Sequence, residues 1–297
     1  MKYTGVVYRP PFEANSLLLE VTTGCSHNKC SFCYMYPDIP FTVRPMEQIE
    51  EDLTEAAQKW PDVQRVFLEH GDPFVLSAEK LIQIAEAIHR KLPKVETIAM
   101  YASIPNIRNK TDAELRRLRD CGINWLDIGV ESGLDEALVL MNKGYTSEEA
   151  LRQLLRLNKA GMDYTINVIL GCGGAGLWRE NAEATAKLLN AVQPPVVFIG
   201  TLHAEPGSTL YNDMRSGAFQ ECTFGQLLDE QELLIRRLAL QDTYYFGSHP
   251  SNILPMQARL PQHKQEMLEA VGRMREHLGT RLDKYSTRGA EGSVIDR

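Results

Sequence analysis

The sequence predicts an α/β protein built on a largely parallel β-sheet. From Leu17 to Glu205, strand-like apolar runs alternate with amphipathic helical segments. Most of these runs are nearly continuous and rich in Val and Ile, as is typical of strands that are buried on both faces. Six strand–helix units without a break in composition therefore predict one domain with right-handed crossovers.

Each unit begins with a strand candidate. In chain order the candidates are 17–24, 65–71, 97–103, 124–131, 164–171 and 196–205. The segments between them carry apolar residues at spacings of three and four, which predicts helices. These helices cover 45–60, 77–92, 111–121, 146–160 and 178–192.

Helix boundaries are marked by specific residues. "TDAE" (111–114) and "TSEE" (146–149) fit the Thr-x-x-Glu capping box, in which side chains bond the N–H groups of the first turn. Gly122 and Gly161 stand where two helices should end, because glycine tolerates the left-handed cap conformation.

Beyond Tyr211 the alternation weakens. Segments 224–240 and 261–278 are predicted helices, with "QDTYYFGSHPSNILP" between them. We therefore divide the chain into a lead-in, an α/β domain, a mainly helical extension and a polar tail that we expect to be disordered. Their bounds are 1–16, 17–215, 216–280 and 281–297.

Composition limits the class of protein. The 297 residues are 43% hydrophobic and 24% charged, as in a globular protein with a sizeable core. No apolar run is long enough for a transmembrane helix, and the first residues do not resemble a signal peptide, so we expect a cytoplasmic protein. The net charge of -7 argues against a nucleic-acid partner, which usually leaves a basic footprint.

Three of the six cysteines are clustered in "GCSHNKCSFCYMY" (24–36). Cys25, Cys30 and Cys33 have the spacing Cys-x4-Cys-x2-Cys. In a reducing cytosol, clustered thiols more often bind metal or carry out redox chemistry than form disulfides. Soft sulfur donors suit zinc or an iron–sulfur cluster. A closed zinc site needs a fourth ligand, which His27 could supply, whereas an iron–sulfur cube held by three cysteines leaves one iron open.

The cysteine loop and its surroundings resemble the radical S-adenosylmethionine (SAM) superfamily. Its members usually show Cys-x3-Cys-x2-Cys after the first strand of a partial (β/α)6 TIM-like barrel, often with an aromatic residue before the last cysteine. Phe32 takes that position, and the spacing here is one residue longer. "AEPGSTLY" (204–211) resembles a segment of the oxygen-independent coproporphyrinogen oxidase and elongator-type group. The resemblance covers roughly residues 15 to 215.

The resemblance implies a cofactor and a chemistry. Cys25, Cys30 and Cys33 would hold an oxygen-sensitive [4Fe–4S] cluster whose open iron binds the amino and carboxylate groups of SAM. One-electron reduction would cleave SAM to methionine and a 5′-deoxyadenosyl radical, which abstracts hydrogen from the substrate. Flavodoxin or ferredoxin would donate the electron.

The resemblance also implies SAM contacts at the strand ends. "HGDP" (70–73) resembles the family's Gly-Gly-Glu-Pro stretch, with His70 and Asp72 in place of Gly and Glu. "GVESG" (129–133) and "NVILG" (167–171) resemble the segments near the methionine, ribose and adenine parts of SAM. The implied contacts are Phe32, His70, Gly71, Asp72, Pro73, Ser103, Glu131, Ser132, Asn167, Ile169 and Gly171.

Residues on the substrate side are sought at the same strand ends, where the loops of a barrel converge. The candidates are Glu69, Tyr101, Cys172, His203 and Glu205, together with three of the implied SAM contacts, His70, Ser103 and Glu131. Three of these are catalytic candidates. Cys172 is a candidate hydrogen-atom donor and His203 a candidate general acid or hydrogen-bond partner; the third is Glu205. The alternatives are a buried packing cysteine and a structural histidine.

A polar segment, "SHPSNILP" (248–255), lies between the last two predicted helices. We expect His249 and Asn252 to cover the open barrel and touch substrate, the alternative being a plain surface loop.

The predicted function is a radical SAM enzyme that acts on a small molecule or a peptide. No second cysteine cluster follows residue 222, which argues against an auxiliary iron–sulfur domain. The alternatives are a haem-binding chaperone similar to coproporphyrinogen oxidase, a tRNA-modifying radical SAM enzyme and a structural zinc protein.

Overall fold

The structure of the protein is a computed structural model that describes residue 1 and residues 3–284. The strands are β1 (Leu17–Glu20), β2 (Thr22–Thr23), β3 (Thr42–Val43), β4 (Arg65–Glu69), β5 (Thr97–Ala102), β6 (Ile123–Glu131), β7 (Asp163–Leu170), β8 (Val196–Thr201), β9 (Thr243–Phe246) and β10 (Gln257–Leu260). Most of the tail predicted to be disordered, 281–297, lies outside the described residues.

The seven predicted helices form in the predicted order, together with three short helices, at 104–108, 135–140 and 209–216, that were not predicted. In chain order the helices are α1 (Met46–Lys59), α2 (Ala78–Lys91), α3 (Ile104–Arg108), α4 (Asp112–Asp120), α5 (Asp135–Leu140), α6 (Ser147–Ala160), α7 (Gly174–Val192), α8 (Thr209–Ser216), α9 (Phe224–Arg237) and α10 (Lys264–Leu278). Thr111 and Glu114 form the predicted capping box of α4. Gly122 and Gly161 have φ of 89° and 70°, the left-handed conformation expected at those helix ends.

The predicted α/β fold is confirmed. The large sheet has the strand order β1-β4-β5-β6-β7-β8-β9-β10, and β2 and β3 form a separate antiparallel pair. β1, β4, β5 and β6 pair in parallel, so each crossover returns the chain to the same edge of the sheet.

Two strands of the C-terminal extension were not predicted. β9 pairs in parallel with β8, and β10 pairs antiparallel with β9. Each has only four residues, too few for a clear period of two. The aromatic and β-branched sequence "TYYF" of β9 favours a strand once β8 offers an edge to pair with.

The chain forms two compact units. The first unit comprises residues 1–28, 35–129 and 152–165. The second unit comprises 29–34, 130–151 and the chain from 166 onward. The domain boundaries expected from the sequence stay a prediction.

Buried apolar residues form the core of the first unit. Strands β1, β4, β5 and β6 each contribute fully buried residues, such as Leu19, Val66, Met100 and Leu126, and in β4 and β5 consecutive residues are buried. Burying such a side chain stabilises the fold by roughly 1.5–3 kcal/mol. The apolar faces of α1 and α2 are buried as well.

In the second unit, α9 packs against α7 and α10. A separate apolar cluster lies around Met141, Cys172, Leu210 and Phe219, with Phe32 packed against it. In the described part of the chain, no helix combines the length and the apolar composition needed to span a membrane.

Candidate cofactor site

The three clustered cysteines are half-buried, and none of the six cysteines of the chain forms a disulfide. Cys25 belongs to the first unit, and Cys30 and Cys33 belong to the second. Within residues 1 and 3–284, no set of three or more His, Cys, Asp or Glu side chains is gathered for a metal ion. The donor set, three thiols outside any disulfide, fits an iron–sulfur cluster chemically. The ligand assignment stays a prediction, as does His27 as a zinc ligand.

In the first unit, the backbone of the "HGDP" segment lies against Cys25. The Gly71 N–H donates to the Gly24 carbonyl oxygen at 3.0 Å. A Cβ atom at Gly71 would lie 2.8 Å from Cβ of Cys25 and 2.9 Å from Cε2 of Tyr36. Both distances are shorter than van der Waals contact, so this close approach requires glycine at position 71.

His70 replaces the glycine of the family pattern, yet its backbone keeps a conformation that favours glycine. Its φ is 73°. The ring offsets this strain with two buried contacts: Nδ1 accepts the Gly24 N–H at 3.2 Å, and Nε2 lies 3.0 Å from Oε2 of Glu20. Since Nδ1 is an acceptor, Nε2 carries the proton and donates it to Glu20. His70 therefore fixes the start of the cysteine loop.

Glu20 is ionised in this arrangement. Burial raises its pKa, but hydrogen bonds from His70, the Thr4 N–H and Arg44 lower the pKa further, to about 2. Arg44 Nη1 lies 2.5 Å from Oε1 of Glu20 and supplies the countercharge. The carboxylate therefore acts as a fixed acceptor that holds the imidazole of His70.

Asp72 takes the position of the family's glutamate, and its carboxylate links the cysteine loop to α3. The Ser26 hydroxyl and the Asn106 side-chain amide both donate to it. Burial raises the pKa of Asp72 to about 6, although these two hydrogen bonds and nearby Lys110 lower it. Asp72 thus positions the loop through Ser26, and the buried Pro73 follows directly.

In the second unit, backbone hydrogen bonds fix the turn between the second and third cysteines. The Ser31 N–H donates to the Met141 carbonyl oxygen at 3.2 Å, and the Ser31 carbonyl oxygen accepts the Leu210 N–H at 2.8 Å. The Cys33 N–H donates to the Cys30 carbonyl oxygen at 3.2 Å. This turn orients Cys30 and Cys33 and lays Phe32 on the apolar cluster.

A buried ion pair lies beside Cys30. Lys143 Nζ is 2.9 Å from Oε1 of Glu131, and both side chains are 9% exposed. Burial lowers the pKa of Lys143, but the charges of Glu131, Tyr145 and Cys30 raise it well above its usual value. Glu131 also has a positive φ, 69°, at the end of β6. No sequence pattern marks Lys143, which follows a short helix in an irregular segment.

A buried network in the second unit joins two of the expected SAM-contact segments. Glu230 of α9 accepts the Gly171 N–H at 2.8 Å and the Asn181 side-chain N–H at 2.5 Å. The Ser132 hydroxyl in turn donates to Asn181. Sequence reasoning missed Asn181 and Glu230. The available signal was the position of Glu230 on the apolar face of α9, three residues after Leu227 and four before Leu234.

The catalytic candidates lie in different environments. Cys172 is fully buried in the apolar cluster, and burial raises the pKa of its thiol well above the usual value, which favours the packing alternative. His203 and Glu205 are more than half exposed, with His203 Nε2 3.1 Å from Oε1 of Glu205. Their predicted roles stay predictions.

The loop 248–255 is tied to the end of β8. Asn252 is buried; its side-chain amide donates to the carbonyl oxygens of Ile199 and Gly247, both at 2.7 Å, and accepts from Thr201 at 2.8 Å. These bonds give Asn252 a structural role. His249 is half-buried, with its Nδ1 2.7 Å from the Ser251 hydroxyl.

The remaining expected SAM contacts lie at strand ends. Ser103 is half-buried where β5 leads into α3. Asn167 and Ile169 are half-buried on β7, and Gly171 has a φ of 82°. Their predicted roles as SAM contacts stay predictions.

Comparison with known proteins gives a consistent result. The sequence model of the Radical SAM superfamily matches residues 19–189. The Bacillus subtilis heme chaperone HemW is 24% identical over 176 residues, which cover 58% of this chain and 46% of that protein. The chain thus spans about half the length of this relative.

Two solved structures show the same fold. Coproporphyrinogen III oxidase (HemN) from Escherichia coli aligns with a TM-score of 0.56 and 18% identity, over 74% of this chain and 51% of that one. Methylornithine synthase (PylB) aligns with a TM-score of 0.53 and 17% identity, over 93% and 84%.

Proposed function

The chain belongs to the radical SAM superfamily, and on this premise we propose that it is an enzyme that abstracts hydrogen from a small-molecule or peptide substrate. The observation that carries the proposal is that the matched residues, 19–189, contain the whole Cys-x4-Cys-x2-Cys loop. Superfamily members use a [4Fe–4S] cluster and SAM.

Cys25, Cys30 and Cys33 are the proposed cluster ligands. Bound by these three residues, the cluster would supply the one-electron chemistry for reductive cleavage of SAM, and with it the abstraction of hydrogen from the substrate. An electron donor such as flavodoxin or ferredoxin is part of the proposal. The first spacing of the motif is one residue longer than is usual in the superfamily.

The residues around the cysteines have supporting parts in this proposal. Gly71 lets the backbone of "HGDP" approach Cys25, while His70 and Asp72 hold the loop through Gly24 and Ser26. Backbone groups at these positions are then available to the SAM amino group. In the second unit, the positive charge of Lys143 lies close to Cys30 and would favour the thiolate form in which this cysteine binds metal.

The test is the formation of 5′-deoxyadenosine by anaerobically reconstituted protein with SAM and a one-electron reductant. We expect a brown protein absorbing near about 400 nm, as iron–sulfur clusters do, and release of 5′-deoxyadenosine. Cys25→Ala, Cys30→Ala and Cys33→Ala should each lose both signals. Cys121→Ala, a half-buried cysteine outside the loop, should keep them. A cluster-loaded protein that never cleaves SAM would contradict the proposal.

A second candidate is a haem-binding chaperone, favoured by the similarity to HemW. Haem titration followed by absorbance separates the two functions. Stoichiometric haem binding without formation of 5′-deoxyadenosine would favour the chaperone. A tRNA-modifying function is disfavoured by the net charge of -7.

A further inference from the structure

One face of the sheet of the first unit carries a row of polar residues. Because side chains alternate along a strand, residues paired in register across parallel strands point to the same side. Glu20 is in register with Glu69, and Tyr101 with Asp127. β4 and β5 pair in register up to Leu68 and Met100, so the next residues of the two strands, Glu69 and Tyr101, lie side by side. These four residues, the polar row, thus form one level across four strands.

Two members of the polar row are buried carboxyl groups with no partner. Glu69 and Asp127 are both 0% exposed. In the described part of the chain, no donor lies within hydrogen-bond distance of any of their four carboxyl oxygens. A buried polar group without a hydrogen bond costs several kcal/mol, so native structures rarely keep one without a functional reason.

Two neighbouring arginines are engaged elsewhere. Burial and the charge of Glu13 raise the pKa of Asp127 well above its usual value, and Arg65 lowers it only in part, because its guanidinium binds Glu13 through Nε, at 2.9 Å, and through Nη2, at 2.6 Å. Arg44 binds Glu20. The chain thus satisfies Glu13 and Glu20 with its own arginines and leaves Glu69 and Asp127 unsatisfied.

Aromatic rings complete this face. The rings of Phe67 and Tyr101 pack edge to face at 5.2 Å, and the Trp125 ring lies one level below Asp127. β4 and β6 flank β5, so the backbones that carry the two carboxyl groups are about 10 Å apart, with Tyr101 between them. Carboxylates beside aromatic faces are the surroundings that organic cations prefer.

We propose that Glu69 and Asp127 bind a cationic group of the substrate, a primary ammonium or a guanidinium, over the ring of Tyr101. The substrate class is therefore an organic amine or guanidine, and this inference rests on the proposed function. A neutral substrate could donate hydrogen bonds to the two carboxyl groups but would leave the charge of their ionised forms uncompensated.

The probe is 1,5-diaminopentane, with 1,5-pentanediol as its neutral counterpart, in calorimetric titrations of the anaerobic, cluster-loaded protein. We expect the diamine to bind and the diol not to bind. Glu69→Gln and Asp127→Asn, which keep the shape and remove the charge, should each weaken diamine binding at least tenfold. Asp62→Asn removes a carboxylate that is 78% exposed and should leave binding unchanged. Glu69→Asp keeps the charge and should retain part of the affinity.

The results separate the two proposals. Equal binding of diol and diamine, or unchanged diamine binding by both neutral variants, would overturn the cation site even if 5′-deoxyadenosine forms. Charge-dependent diamine binding without cleavage of SAM would leave the cation site in place and contradict the radical function. Absorbance of the cluster and circular dichroism verify that each variant is folded, and Glu69→Asp provides the comparison if an amide variant is not.

Discussion

The imidazole Nε2 of His70 lies 3.0 Å from the carboxylate of Glu20, although the two residues are 50 positions apart. Nδ1 of the same ring accepts the Gly24 N–H, directly before the first clustered cysteine. The two hydrogen bonds of His70 therefore connect the ends of β1 and β4 to the start of the cysteine loop. They also explain how a histidine occupies a backbone conformation with φ of 73°.

Two replacements of His70 distinguish the contribution of its side chain to stability from that of its backbone conformation. His70→Ala should destabilise the protein by about 2–3 kcal/mol, because it removes a hydrogen bond to a charged group and leaves buried groups unsatisfied. His70→Gly loses the same bonds but relieves the left-handed strain, so it should cost less. Denaturant unfolding gives both values, with exposed His277→Ala as control. Equal destabilisation by the two variants would show that the backbone of residue 70 is not strained.

Glu20 should make the free energy of unfolding depend on pH in the acidic range. Its folded pKa of about 2 lies below the ordinary value of 4.5, so its contribution is complete above pH 4.5 and is lost as the pH falls towards 2. Wild-type protein should therefore lose on the order of 2 kcal/mol more than Glu20→Gln across this range. Unfolding free energies measured at pH 5 and pH 3 test this. Parallel pH profiles of the two proteins would mean that Glu20 is not stabilised by His70 and Arg44.

The α/β alternation was predictable because it depends on local periods. All five helices predicted between the six strand candidates form, because apolar spacing and glycine or threonine signals mark them, and α4 shows both of its predicted boundaries. β9 could not be predicted, because its four residues become a strand only through pairing with β8. Family membership, expected from the cysteine loop and the glycine segments, is confirmed by the match over residues 19–189.

The candidate site was predictable only in part. Glu69 was found among the strand-end residues, but Asp127 lies inside a strand with the sequence "INWLDIGVE" and gave no separate signal. Its importance depends on register with Tyr101, a tertiary relationship. The network around Glu230 is likewise beyond sequence reasoning, because Gly171 and Glu230 are 59 positions apart.

Glu230 should be sensitive to an isosteric change. Burial raises its pKa to about 8, while the hydrogen bonds from Asn181 and Gly171 lower it. Glu230→Gln turns an amide N–H towards one of these donors and leaves it unsatisfied, at a cost of about 1–3 kcal/mol. Affinity for SAM should fall too, because Gly171 and Ser132 are proposed contacts. Thermal unfolding and SAM titration measure the two effects.

Exposed Glu276→Gln on α10 is the control for Glu230→Gln. It should change neither stability nor SAM affinity. A Glu230→Gln protein as stable as wild type would mean that the buried network does not hold the Gly171 segment.

Removing one partner of the Lys143–Glu131 ion pair should destabilise the protein more than removing both. Lys143→Met leaves the Glu131 carboxylate buried and uncompensated, which should cost roughly 3–5 kcal/mol. Adding Glu131→Gln should restore a large part of this loss. Lys29→Met, an exposed lysine next to Cys30, should be neutral. Urea unfolding of wild type, Lys143→Met, Glu131→Gln and the double variant tests the coupling, and additive losses would show that the two charges act independently.

Glu69 should make the protein less stable as the pH rises. Burial raises its pKa to about 7; nearby His70, Arg44 and Arg9 lower the pKa, and Glu20 raises it. Between pH 4.5 and 7 the unfolded chain has released this proton while the folded protein keeps it, so stability falls through that window and is level above it. Glu69→Gln has no such proton. Its stability relative to wild type should therefore increase by on the order of 2 kcal/mol from pH 4.5 to 7.

Unfolding free energies at pH 4.5, 6 and 8 measure this difference, and Glu79→Gln, an exposed carboxylate, should give a difference that does not change with pH. The proposed cation site adds one further condition. A bound diamine favours the ionised carboxylate, so at pH 8 it should stabilise wild-type protein more than Glu69→Gln. A constant difference between Glu69→Gln and wild type at all three pH values would mean that Glu69 is solvated or paired in the folded protein, and the argument for a site built on unsatisfied carboxyl groups would then fail.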